Sequence, residues 1–255
     1  MIEICHISCG ELTKQESLDA LKPFAGRYVL TPIYNVRPQV KALNQMIALV
    51  KEEFFIELDG DMILNTNAFD RIETAIDKHK HDESWHTILF KLFDTFTQTE
   101  ILSLKVMRSK IMKQFLFKDV PTPDVEHYNR LKEAGYKCID EYLPTNPIGQ
   151  HVLRGNNICY HKYKDVYSTL RYYNRQWDDA VFMGGKTIRD KSKNHFDYFV
   201  YMYSITNNDD YLAAIIGMVD GLTNSDSKSK SIDKDKIYTN NCIDRYFNYY
   251  NKGFM

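Results

Sequence analysis

Hydrophobic positions in the first 60 residues recur with two different periods, which predicts strands alternating with helices. Short apolar runs predict three strands, at residues 2 to 7 (IEICHI), 27 to 33 (RYVLTPI) and 54 to 58 (FFIEL). A helix is predicted between the first two, at residues 11 to 21. In a second helix after Pro38, apolar residues return every three or four positions: Val40, Leu43, Ile47 and Val50. This βαβα order favours a parallel sheet.

The middle of the chain continues with both periods. The pattern from Asn67 to Lys78 is helical, whereas residues 86 to 106 alternate and predict two strands joined by a Thr-rich turn, so the second half of the sheet could be mixed. A further helix is predicted from Glu126 to Ala134, with Gly135 where a helix would end.

The last third of the chain, from about Tyr160, is mostly helical and rich in tyrosine, and it contains a polar run at residues 224 to 236 that we expect to be mobile. We therefore predict an α/β fold in residues 1 to 159, with a mostly parallel central sheet flanked by helices. Residues 160 to 255 are predicted to form a helical extension.

Composition narrows the function classes. The chain has 255 residues and 44% hydrophobic content, enough for a full core, and its 33 basic and 34 acidic residues leave no basic footprint for nucleic acid. Five cysteines without a Cys-x-x-Cys pair fit a reducing compartment. The amino terminus has no signal-peptide pattern, and the longest late apolar segment, residues 211 to 219, is too short to span a membrane. We expect a cytoplasmic protein.

Two carboxylates follow the third predicted strand. Asp59 and Asp61, in FFIELDGDMIL, would lie at the carboxyl edge of the sheet, where open α/β sheets bind ligands. Such a pair can hold Mg²⁺ or Mn²⁺, with a nucleoside diphosphate completing the coordination shell. The aspartates could equally cap the turn. A second Asp-x-Asp, at residues 233 to 235, lies in the polar run without a strand before it.

Other polar residues are predicted near this pair. Ser8, Asn35 and Arg37 follow the first two predicted strands, so they could touch the nucleotide. Arg154 lies in a basic segment that could reach a diphosphate.

Three motifs, taken together, resemble a known family. Asn44 lies fifteen residues before Asp59. The second motif is an Asp, an Arg six positions later and then a Gly-Tyr pair, present as Asp124, Arg130, Gly135 and Tyr136. The third is a histidine further along, His151. In this order they resemble the bacterial inverting nucleotide-sugar glycosyltransferases of the A-type (GT-A) fold. Two positions differ: Pro123 stands where the family usually has Glu, and IYNVR (33 to 37) replaces an Asp-rich signature.

The resemblance implies specific roles. A UDP- or GDP-sugar would be the donor, with Mn²⁺ or Mg²⁺ held by Asp59, Asp61 and His151. Asp124 would be the general base that activates the hydroxyl of a glycan or lipid-linked acceptor and inverts the anomeric centre. Asp124 could instead cap the helix that follows it.

Several alternatives remain open from the sequence. The chain could be a retaining transferase on the same scaffold, a nucleotidyltransferase that releases pyrophosphate, or a non-catalytic binding module for sugars or nucleotides. The Tyr-rich segments at residues 197 to 205 and 244 to 254 could pack in a core or a homodimer, or could touch the inner face of a membrane peripherally.

Overall fold

The protein divides into two compact units in the computed structural model, Met1–Leu153 and Arg154–Met255. The structure describes residues 1 to 120, 122 to 141, 146 to 176 and 188 to 223. The predicted mobile run at 224 to 236 and the Tyr-rich segment at 244 to 254 lie outside these ranges.

The first unit alternates strands and helices as its hydrophobic periods predict. Its strands are β1 Ile2–Ser8, β2 Tyr28–Tyr34, β3 Phe54–Asp59, β4 Met62–Leu64, β5 Trp85–Asp94, β6 Thr99–Arg108, β7 Lys137–Glu141 and β8 Gly149–His151. Its α-helices are α1 Lys14–Ala20, α2 Gln39–Leu49, α3 Ala68–His79, α4 Ser109–Met112 and α5 Pro123–Glu133, with a short 3₁₀ helix at Lys22–Phe24. Helix α5 begins three residues before the predicted start because Pro123, which lacks a backbone N–H, suits a first helical turn.

The strands form one sheet in the order β2-β1-β3-β6-β5-β8-β4, with β7 also paired to β5. Strands β2, β1 and β3 are parallel, β6 is antiparallel to both β3 and β5, and β7 and β8 are parallel to β5. Because β4 is antiparallel to β8, only β4 and β6 run against the other six described strands. The predicted mostly parallel central sheet is confirmed.

Both faces of the sheet are covered, which explains why both faces of β3 are buried over most of its length. Phe54, Ile56 and Leu58 pack with residues of α3, including Phe69, in one cluster. Phe55 packs on the opposite face with residues of α2 and α5: Leu43, Met46, Ile47 and Leu131. Since alternate residues of a strand share a face, Glu57 and Asp59 follow Phe55 toward α2 and α5.

The second unit is helical over its described part, with α6 Asn156–Gln176, α7 Ile188–Thr206 and α8 Asp209–Thr223. Glycines allow α8 to lie directly against α6: a Cβ on Gly217 would be 2.2 Å from the carbonyl oxygen of Tyr160, and one on Gly221 would be 2.5 Å from that of Lys164. Among the described helices, none has the length and apolar character needed to cross a membrane.

Candidate functional site

The two paired aspartates flank a tight connection between β3 and β4. Asp59 ends β3, and the backbone N–H of Gly60 donates to the carbonyl of Ile7 on the neighbouring strand, 2.8 Å away. A Cβ at Gly60 would be 3.0 Å from the Ser8 hydroxyl oxygen. A small residue between the aspartates therefore lets this corner lie against the end of β1.

Asp61 faces a histidine that the sheet brings from 90 residues further along the chain. Strand β8 pairs with both β4 and β5, so His151 is the register partner of Met62 on one side and of Asp94 on the other. Its Nε2 lies 3.2 Å from Asp61 Oδ2, and its Nδ1 lies 2.9 Å from Asp94 Oδ2. The three side chains are nearly buried, with 7% of His151, 15% of Asp61 and 11% of Asp94 exposed.

The environment of Asp94 defines the tautomer of His151. Burial raises the pKa of the Asp94 carboxyl, but hydrogen bonds from His151 and from the backbone of Thr97 outweigh it and hold that pKa below its usual value. An ionised Asp94 only accepts hydrogen bonds, so Nδ1 of His151 carries the proton that it donates. The second oxygen of Asp94 accepts from the backbone N–H groups of Phe96 and Thr97, at 2.9 and 2.8 Å.

The pairing of β8 with β4 depends on a glycine. A Cβ on Gly149 would be 2.5 Å from the carbonyl oxygen of Ile63, a backbone atom of β4. Beyond this point, Val152 donates its backbone N–H to the carbonyl of Asp61 at 2.7 Å. Any side chain at position 149 would thus push apart the two strands that bring His151 and Asp61 together.

The predicted nucleotide-binding residues gather at the ends of β1 and β2. Ser8 donates its hydroxyl hydrogen to Glu11 at 2.6 Å, and the same carboxylate oxygen accepts from Cys9 N–H at 2.7 Å. Asn35 has a left-handed backbone (φ 57°) and donates its N–H to the carbonyl of Ser8. The exposed Arg37 donates to the carbonyl of Cys9 at 3.0 Å. Ser8, Asn35 and Arg37 therefore lie at the end of β1 and just after β2, on the side of the sheet edge where Gly60 meets Ser8.

The predicted base, Asp124, lies on the face of the sheet that Glu57 and Asp59 share. It occupies the first turn of α5, half of its side chain is exposed, and its Oδ1 lies 3.6 Å from Lys105 Nζ. That ammonium group also contacts both oxygens of Glu57, at 3.1 and 3.2 Å. Burial lowers the pKa of Lys105, but the carboxylates of Glu57, Asp124 and Asp59 raise it above its usual value. Lys105 is therefore charged.

Three residues hold the segment that precedes α5. Asn44 exchanges two hydrogen bonds with the backbone of Phe117, at 2.8 and 3.0 Å. His127 contacts the carbonyl of Phe115 at 2.6 Å, and Arg130 donates to that of Leu116 at 2.6 Å. The motif residues Asn44 and Arg130 thus meet on one short segment, which fixes α5 and with it Asp124.

The carboxylate oxygens of Asp59 and Asp61 suit a hard divalent cation, and the ring nitrogen of His151 would add a softer donor. Mg²⁺ commonly takes one or two protein carboxylates and completes its shell with water and phosphate oxygens, so a full protein cage is not needed. Within residues that the structure describes, no three His, Cys, Asp or Glu side chains form a ready-made metal cluster. Metal-binding histidines usually donate their second ring N–H to a carboxylate, as His151 does to Asp94. His151 Nε2 and Asp61 Oδ2 are 3.2 Å apart, close to the roughly 2.9 Å between adjacent ligands of an octahedral cation with bonds of about 2.1 Å.

The structure brings in residues that the sequence pattern alone did not select. Asp94 ends an alternating strand just before a Thr-rich turn, the same context that drew attention to Asp59. Glu57 and Lys105 are charged residues inside otherwise apolar strands, which is a signal for a buried ion pair or a site. Arg154 is exposed and is the first residue of the second unit, so its contact with a donor remains a prediction.

Several solved structures are similar to this chain, although their sequences are not. No protein-family model and no curated protein sequence matches it. The mannosyltransferase PcManGT from Pyrobaculum calidifontis, in complex with GDP-Man and Mn²⁺, is 11% identical, with a TM-score of 0.49 over 83% of this chain and 73% of that one. Residues 1–349 of TarS from S. aureus are 11% identical, with a TM-score of 0.45 over 87% of this chain and 81% of that one. The bifunctional IspDF from Campylobacter jejuni is 14% identical, with a TM-score of 0.42 over 59% and 52%.

All three TM-scores are below 0.5, and the identities are 14% or lower. The chain has a mixed α/β fold with helices on both faces of its sheet. The solved structures similar to it include glycosyltransferases, the class that its sequence motifs resemble.

Proposed function

We propose that the protein transfers a sugar from a nucleoside-diphosphate sugar to an acceptor hydroxyl, with the help of Mn²⁺ or Mg²⁺. The observation that supports this most is the buried row of Asp61, His151 and Asp94 at the ligand-binding edge of the sheet. Asp61 and His151, together with Asp59, would hold the cation. A cation there would stabilise the charge that develops on the departing diphosphate.

The protein's own side chains would perform the remaining steps. Ser8, Asn35 and Arg37 lie on the loops beside Gly60, where a nucleotide would meet them, and Arg154 is a further candidate for the diphosphate. Asp124 is half exposed and would take the proton of the acceptor hydroxyl as its oxygen attacks the anomeric carbon. The bond from that carbon to the diphosphate oxygen breaks on the opposite face, which inverts the centre.

The acceptor is proposed to be a glycan or a lipid-linked glycan, and a lipid carrier would bring the protein to the inner face of a membrane. Helix α7 offers one surface for such peripheral contact or for a homodimer, because its side chains Val200, Tyr201 and Ile205 are exposed while Phe196 and Phe199 are buried. Unchanged sedimentation with and without vesicles would remove the membrane role, and a monomeric sedimentation coefficient at every concentration tested would remove the homodimer.

Calorimetry with UDP and GDP, with and without Mn²⁺, tests the site. We expect Mn²⁺-dependent nucleotide binding that Asp61→Asn abolishes. Asp235→Asn, in the second Asp-x-Asp, is the matched control and should bind as the wild type does. Unchanged binding of UDP or GDP by Asp61→Asn would contradict the proposal and favour a non-catalytic module.

A screen of nucleotide sugars for Mn²⁺-dependent hydrolysis then identifies the reaction. Release of UDP or GDP from a sugar donor supports sugar transfer, whereas release of pyrophosphate from a nucleoside triphosphate indicates a nucleotidyltransferase. NMR of the product's anomeric configuration separates inversion from retention.

A further inference from the structure

Lys105 lies between the buried Glu57 of β3 and the proposed base Asp124 of α5. On the face of the sheet toward α2 and α5, β3 presents Phe55, Glu57 and Asp59 in turn, and β6 presents Met107 and Lys105 beside them. Glu57 and Lys105 are register partners, and their ion pair follows directly after the apolar pair of Phe55 and Met107 on the same face.

Lys105 has more carboxylates around it than are needed to balance its charge. Glu57 is 7% exposed and contacts the ammonium group with both oxygens, which already neutralises the 24% exposed Lys105. Yet Asp124 Oδ1, from a different element, also lies 3.6 Å from Lys105 Nζ, and the charge of Asp59 acts on the same ammonium. Lys105 therefore contacts the carboxylate of the proposed base, and Asp59, two residues beyond Glu57 on the same face of β3, adds a negative charge nearby.

We propose that Lys105 is a positioning residue that holds the Asp124 carboxylate beside the metal corner and balances the charge of Asp59. This inference rests on the proposed function, because it assigns a role relative to the same cation and base. Without the ammonium group of Lys105, Asp59 and Asp124 would repel each other, and the half-exposed side chain of Asp124 would turn away into solvent. Lys105 also reduces the negative potential at the corner, so it weakens metal binding while it keeps the base in place.

The test isolates the charge of Lys105 without leaving a carboxylate buried and unpaired. Glu57→Gln is compared with the double variant Glu57→Gln/Lys105→Met, since replacing a buried ion pair by neutral groups of similar shape usually preserves folding. The matched control is Lys91→Met, because Lys91 forms a Lys-Glu pair with Glu100 at 2.6 Å between β5 and β6 in the same sheet. Thermal melts of all variants would check that each one is folded.

Two measurements are expected to move in opposite directions. Titration of Mn²⁺ alone, followed by EPR, should show about threefold to tenfold tighter binding in the double variant than in Glu57→Gln, because a positive charge near Asp59 has gone. Hydrolysis of the nucleotide sugar that the wild type accepts should fall about 10- to 100-fold in kcat, with a smaller change in KM, because the base is misplaced. Lys91→Met should change neither the Mn²⁺ affinity nor kcat. Lys105→Arg, which keeps the positive charge, should bind Mn²⁺ with the wild-type affinity.

A wrong role for Lys105 and a wrong proposed function would give different results. Equal Mn²⁺ affinity in the two Glu57→Gln proteins overturns the role of Lys105, even where kcat falls, because general damage to the fold does not tighten metal binding. A wild-type protein that binds no Mn²⁺, alone or with UDP or GDP, overturns the proposed function itself and the role of Lys105 with it.

Discussion

His151 donates its Nδ1 hydrogen to Asp94, and the two residues are register partners on the parallel strands β5 and β8, with Nδ1 and Oδ2 2.9 Å apart. Both side chains are nearly buried, and Asp94 is fixed in turn by the backbone of the β5–β6 turn. The ring therefore presents Nε2 to Asp61 in one orientation.

Asp94→Asn is expected to weaken Mn²⁺-dependent UDP or GDP binding about 10- to 100-fold, because a residue that orients a metal-binding histidine affects affinity on that scale. Asparagine keeps an oxygen for the N–H groups of Phe96 and Thr97, so the turn should remain folded. Calorimetry measures the affinity. The same affinity in the variant and the wild type would show that Asp94 only caps the turn.

Asp124→Asn is expected to lower sugar transfer about 10²- to 10⁴-fold, the usual contribution of a positioned base, while donor binding changes little. Steady-state kinetics and calorimetry measure the two quantities separately. Asp119→Asn, an exposed residue on the segment before α5, is the control and should keep full activity. A variant that transfers normally would leave Asp124 as a residue of the first helical turn and nothing more.

Buried histidines make stability fall in mild acid. Burial lowers the pKa of His6 and His86 to about 4. Because the unfolded chain takes up these protons near pH 6.5, the free energy of unfolding is highest above that pH and decreases as the pH falls toward 4, by up to about 3 kcal/mol for each group. Urea unfolding between pH 7 and 5 measures the slope.

His86→Asn should reduce that slope, because one of the buried groups no longer titrates, while asparagine can still contact the hydroxyl of Thr87. The exposed His81→Asn is the matched control, and its slope should equal that of the wild type. Equal slopes in all three proteins would contradict the assignment of acid sensitivity to His86.

Gly217→Ala is expected to destabilise the second unit by about 1–3 kcal/mol, because its Cβ would collide with the backbone of α6 at Tyr160. Alanine favours a helix more than glycine does, so the collision must exceed that gain. Thermal unfolding followed by circular dichroism measures the change, with Ser204→Ala on the exposed face of α7 as the control. A rise in melting temperature would show that α6 and α8 have room to separate.

Local periodicity determined most of the first unit. The short apolar run at Phe54–Asp59 and the helical spacing that follows Pro38 reflect burial of one element at a time, so they predict β3 and α2 within a residue or two. The position of Asp59 and Asp61 at the end of β3 followed from the same pattern.

Only the tertiary structure decided which distant residues meet there. Asp94 joins His151 because β8 pairs with both β4 and β5, and Lys105 joins Asp124 because α5 lies over the face where β6 is paired with β3. Strand order and register depend on contacts between residues far apart in the chain, and the periodicity of one segment at a time does not specify those contacts. The sequence therefore determined the individual strands, helices and acidic residues, while the pairing of the sheet determined the site.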